Sequence, residues 1–107
     1  MTEFGYSFVE FIESKIFSAQ MNRLDAEVLS RIQSDLAQNP ERGEIVKGTH
    51  GVRKARVADP ASHRGKRGSY RYLYLYLEHA GKIHLLYLFS KGEQVDLSPE
   101  QNELSGR

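Results

Sequence analysis

From Tyr70 to Leu77 the chain reads YRYLYLYL, a strict alternation with a period of two. In an extended strand Tyr70, Tyr72, Tyr74 and Tyr76 fall on one face, and Arg71, Leu73, Leu75 and Leu77 on the other. A helical period would scatter the tyrosines around the axis, so this stretch is read as a strand. Glu78-His79-Ala80-Gly81-Lys82 follows as a glycine-containing hairpin turn. Ile83 to Phe89 then returns as a nearly continuous apolar strand, which argues for a central or doubly covered position. Upstream, Val52 to Val57 is bounded by Gly51 and by Asp59-Pro60 and reads as a third strand of the same antiparallel sheet. Its alternation sets Lys54 and Arg56 on one face, with Arg53, Ala55 and Val57 on the other.

The rest of the chain supplies one clear helix. Leu24, Val28, Ile32 and Leu36 recur every four residues with Leu29 beside them, while Arg31, Gln33, Ser34 and Asp35 take the opposite side. Asn39-Pro40 ends the helix, because the residue before proline avoids the α region. The helix stripe is expected to pack on one face of the sheet. Before it, Ser7 to Ile12 reads as a first strand and Ser14 to Met21 as a turn or short helical connection. Near the end, Ser98, Pro99 and Gln101 have the pattern of an N-cap, N1 and N3 of a further helix. At 107 residues, 39% hydrophobic and 27% charged, the chain is expected to form one soluble domain with one core. The lack of cysteine excludes a disulfide framework, a thiol nucleophile and cysteine-ligated zinc. MTEFGYS has neither a basic n-region nor a continuous apolar h-region, so the cytoplasm is the expected compartment.

Charge is distributed unevenly. Between Lys47 and Tyr72 lie Lys47, Arg53, Lys54, Arg56, Arg64, Lys66, Arg67 and Arg71 against one acid, Asp59, a net +7. The whole chain carries +1, so the remainder sums to −6. This asymmetry points to a polyanionic partner for one side of the sheet. Lys54, Arg56 and Arg71 are the main constellation, since fixed cations suit a phosphate that gains charge in a transition state. A solvated strand face accounts for the same spacing equally well. The segment Arg64-Gly65-Lys66-Arg67-Gly68-Ser69 lacks the glycine and hydroxyl spacing of a P-loop, and reads as a flexible phosphate-gripping loop. Tyr72 and Tyr74 read as a packed sheet face, whereas Tyr70, next to the basic loop, remains a candidate for stacking on a base. His50, His63, His79 and His84 show no ligand spacing, so no metal or other cofactor is expected, although His63 stands within reach of a bound phosphate.

Three motifs in order, GTHGVRKARVA, RGKRGSYRYLYLYLE and YLFSKGEQVDLSPEQ, together with the helix ending DLAQNPERGEIVKGT, resemble the RelE-like toxins of type II toxin–antitoxin modules. The likeness runs from about Phe8 to Gln101 and is to the HigB-type branch of the RelE/ParE superfamily. It implies an α+β fold, with a small curved and mainly antiparallel sheet packed against one or two helices from the N-terminal half. It also implies a metal-independent, ribosome-dependent endoribonuclease that cuts messenger RNA in the ribosomal A site, restrained by a HigA-type helix-turn-helix antitoxin. By motif, Lys54 and Arg56 match the basic pair on the strand entering the active site, Arg71 the arginine opening the next strand, and Lys91 the basic residue after the last. Arg53, His63, Arg64, Lys66, Arg67 and Tyr70 are then the candidate RNA or ribosome contacts. Several relatives carry a stacking tyrosine where this sequence has Asp96-Leu97-Ser98, and the C-terminal helix usual in the branch is shortened here to a segment ending ELSGR. Two rival functions suit the same residues: a ParE-like toxin acting by protein contact on gyrase, and a plain RNA-binding module.

Overall fold

The computed structural model describes residues 9–60 and 69–90. The elements in chain order are β1 (Glu10–Glu13), α1 (Lys15–Met21), α2 (Ala26–Gln38), β2 (Glu44–Ile45), β3 (Val52–Ala58), β4 (Ser69–Leu77), a 3-10 turn (Glu78–Ala80) and β5 (Lys82–Ser90). The strands form one sheet in the order β1-β5-β4-β3-β2. All neighbours are antiparallel except β1, which lies parallel to β5 with Glu10 opposite Lys82 and Glu13 opposite Leu85. This is the expected α+β arrangement, with β5 an interior strand between β1 and β4, as its apolar run requires.

The β4–β5 hairpin is the spine. Gly81 closes it in the left-handed region at φ 64, a conformation glycine adopts without a Cβ clash. Opposite Leu73 and Tyr74 the register slips: Leu73 pairs with Tyr87 and Tyr74 with Leu85, leaving Leu86 as an extra residue on β5. The bulge resets the alternation of β5, so Ile83, Leu85 and Leu88 all face the same side as the tyrosines. The bulged segment is secured from outside: Ser14 Oγ donates to the Leu86 carbonyl at 2.7 Å. Gln20 exchanges two bonds with the Leu88 backbone, donating at 2.6 Å and accepting at 2.8 Å.

α2 covers the tyrosine face. Val28, Ile32 and Leu36 are fully buried against Tyr72, Tyr74, Ile83, Leu85 and Leu88, with Phe17 of α1 completing the layer. Each such aliphatic side chain contributes about 1.5–3 kcal/mol on burial, before entropy is subtracted. Two boundaries differ from expectation. α2 begins at Ala26 instead of Leu24, because Asp25 caps it, its carboxylate accepting from the Glu27 N–H at 2.9 Å. Leu24 still packs against the core from the preceding turn. The first strand, Glu10–Glu13, ends one residue beyond the expected Ile12, where Ser14 becomes the N-cap of α1, while Ser7 and Phe8 of the expected span lie outside the described residues. Ser14 to Met21 is helical, as one of its two readings had it. The expected C-terminal helix lies outside the described residues. No helix among the described residues is long and apolar enough to cross a membrane.

Candidate active site on the sheet face turned away from the long helix

Register decides which side chains meet. β3 and β4 pair with Arg56 directly opposite Arg71 and Lys54 opposite Leu73, so the three cations share the face turned away from α2. On that face they line an open concavity of ≈ 430 Å³, together with Arg42, Glu44 and Ala55. Glu44 enters because β2 pairs with β3, setting it opposite Lys54. Leu73, on the same face of β4, and Phe89, opposite Arg71 on β5, are 4% and 8% exposed, so buried apolar side chains adjoin the arginine.

Like charges facing across a strand pair repel, at a cost of about 0.2–1 kcal/mol. Arg56 and Arg71 carry that cost, and among the described residues no carboxylate makes an ion pair with Lys54, Arg56 or Arg71. Three converging cations on a fixed sheet have the charge and geometry that suit a phosphate.

The opposite face is spent on structure. Tyr74 is buried with its hydroxyl bonded both ways, donating to the Pro40 carbonyl at 2.8 Å and accepting from the Gly43 N–H at 2.9 Å. A Cβ at Gly43 would meet the Lys54 carbonyl at 2.8 Å and the Tyr74 ring at 2.9 Å, so glycine is required there. Burial pushes the Tyr72 phenol up to about 12, against the opposing pull of the nearby Arg42 guanidinium. Tyr72 is therefore an uncharged hydroxyl, and its oxygen accepts from Arg42 Nη1 at 3.2 Å.

The remaining sequence candidates divide. Arg53 lies on the tyrosine side, where its Nη1 donates to the Glu41 and Gly43 carbonyls at 3.1 and 2.7 Å. Tyr70 also lies on that side, packed beside the core, and donates to Asp59 Oδ2 at 3.4 Å; burial first, then the Asp59 charge, raises its pKa. His63, Arg64, Lys66, Arg67 and Lys91 lie outside the described residues. Sequence reasoning missed Arg42 and Glu44. The available signal was the turn between Pro40 and Gly43, which leads the chain straight back onto the sheet edge beside Lys54.

No family model matches the sequence. Among solved structures, the chain is similar to the E. coli toxin RelE, seen as a double arginine-to-alanine mutant in the free state. The TM-score is 0.55 at 13% identity, covering 81% of this chain and 85% of that one. The fold is therefore RelE-like.

Proposed function

We propose that this chain is the toxin of a type II toxin–antitoxin module, a cytoplasmic, ribosome-dependent endoribonuclease of the HigB-type branch. In this proposal residues 1–107 form one toxin domain, held inactive by a HigA-type antitoxin. The observation that carries the reading is the set Lys54, Arg56 and Arg71, without an ion-pair partner among the described residues and converging on one face of a RelE-like sheet.

The reaction is attack of a ribose 2′-hydroxyl on its own 3′-phosphate. A bond forms between the 2′-oxygen and phosphorus, the bond to the 5′-oxygen breaks, and the products are a cyclic phosphate and a 5′-hydroxyl. Lys54 is the group placed to take the 2′ proton, and the leaving oxygen gains one from solvent. Arg56 and Arg71 bind the phosphate oxygens, where negative charge grows. Their mutual repulsion is relieved as it does so, which favours the transition state over the empty site. Lys91 is a supporting cation, and Arg64, Lys66 and Arg67 hold the flanking backbone.

Incubating the protein with messenger RNA, with and without ribosomes, tests this. The expected result is cleavage within the A-site codon only when ribosomes are present, leaving cyclic phosphate ends. Growth arrest on expression without any messenger cleavage would transfer the assignment to the contact-acting rival. Binding without either effect would leave an RNA-binding module.

A further inference from the structure

Arg42 sits in the turn between α2 and β2, outside the basic tract, yet it is one of the residues that line the concavity. β2 pairs with β3 at Ile45 opposite Arg53 and Glu44 opposite Lys54; continued in register, the backbone of Arg42 would lie opposite Arg56. The chain instead peels away at Gly43, whose N–H goes to the Tyr74 hydroxyl. The Arg42 side chain takes the vacated place. Nη1 donates to the Arg56 carbonyl at 2.9 Å and to the Tyr72 hydroxyl at 3.2 Å, and stands 3.6 Å from Asp35 Oδ2. Nε and Nη2 have no partner among the described residues. A guanidinium is a rigid plane, so hydrogen-bonding one nitrogen to two oxygens, with Asp35 nearby, orients the other donors in advance, and little freedom is lost when they bind.

We propose that Arg42 is a further phosphate contact of this site, offering its Nε and Nη2 donors to the backbone of single-stranded RNA, and that Tyr72 and Asp35 act as positioning residues that aim it. The proposal rests on the RNA-directed reading above and adds a residue to it. It also gives the buried tyrosine face an influence on the opposite one: the Tyr72 hydroxyl steadies a cation that works beyond the edge of β3.

The test is the affinity of the full chain for a short single-stranded RNA, titrated across salt, with ribosome-bound messenger cleavage measured in parallel. Arg42→Ala is expected to flatten the slope of log K against log salt by about 0.7, the contribution of one phosphate contact on a single strand. Arg42→Gln, which keeps a donor for the Arg56 carbonyl, should flatten it equally and serves if the alanine variant melts early. Arg42→Lys should keep the slope but cleave about tenfold more slowly, since a point charge does not reproduce an oriented fork. Tyr72→Phe should keep the slope and lower affinity a few-fold, and Arg31→Ala, on the exposed side of α2, should change neither. An unchanged slope in both Arg42→Ala and Arg42→Gln, or a wild type whose RNA binding ignores salt, overturns the proposal. Unchanged slopes in a protein that still cuts messenger remove Arg42 from the site and leave the nuclease intact. A flattened slope in a protein that cuts nothing supports the Arg42 contact and removes the nuclease.

Discussion

The two faces of this sheet are built from alternate residues of the same strands and treat their polar groups in opposite ways. On the helix side of β4, Tyr72 and Tyr74 are wholly buried, and each hydroxyl has a partner. On the other side of the same strand, Arg71 faces Arg56 across the ladder, and among the described residues neither is ion-paired to an acid. One face is built for the folded state. The other carries a repulsion that a bound anion would relieve. A strand with period two is suited to this division, because neighbouring positions can answer to folding and to function separately.

That contrast predicts where substitutions will register. The largest effect belongs to the packed face: Tyr74→Ala should cost about 3–5 kcal/mol and Ile32→Ala about 2–5, measured by urea denaturation. Losses under about 1 kcal/mol would mean that the helix layer is not what holds the sheet. Alkaline pH should act on the same face next. Because burial raises Tyr72 from 10 to about 12, the folded chain holds that proton more tightly than the unfolded chain. Its contribution is fully present below pH 10 and is lost as pH rises from 10 to about 12, about 2–3 kcal/mol in all. Urea midpoints across that range should fall for the wild type and fall less for Tyr72→Phe; parallel curves would remove Tyr72 as the cause. Gly43→Ala should cost about 1–3 kcal/mol, since its Cβ would press on the Lys54 carbonyl and the Tyr74 ring. A melting temperature equal to wild type would show that the turn yields without strain. The smallest effect has the opposite sign. Arg56→Gln should raise stability by about 0.2–1 kcal/mol by removing one of two facing charges, while lowering cleavage. A variant both less stable and fully active would contradict the division of labour.

The parts of this molecule legible in the sequence were those fixed by local period. The YRYLYLYL alternation assigned both faces of β4 correctly, and the four-residue recurrence of Val28, Ile32 and Leu36 identified the helix that covers one of them. The same alternation in β3 placed Lys54 and Arg56 together, and the register brought Arg71 to them. The bulge at Leu86 was hidden because a run of apolar residues has no period for an inserted residue to break. The parallel pairing of β1 was hidden too, since a four-residue edge strand is defined by its neighbour more than by its own composition. Arg42 escaped notice for a third reason. Its role depends on where Gly43 leaves the ladder and where Tyr72 ends, two tertiary facts that no spacing encodes.

The central claim is that the cationic face acts on RNA while the tyrosine face holds the fold. Single-turnover cleavage of ribosome-bound messenger by the Lys54→Ala/Arg71→Ala double variant, on a sample whose melting matches the wild type, tests it most directly. The account predicts a fall of at least about 10²–10³-fold, the usual loss on removing one preorganised donor from a developing charge. A double variant that folds normally and cleaves within a few-fold of the wild-type rate would contradict it.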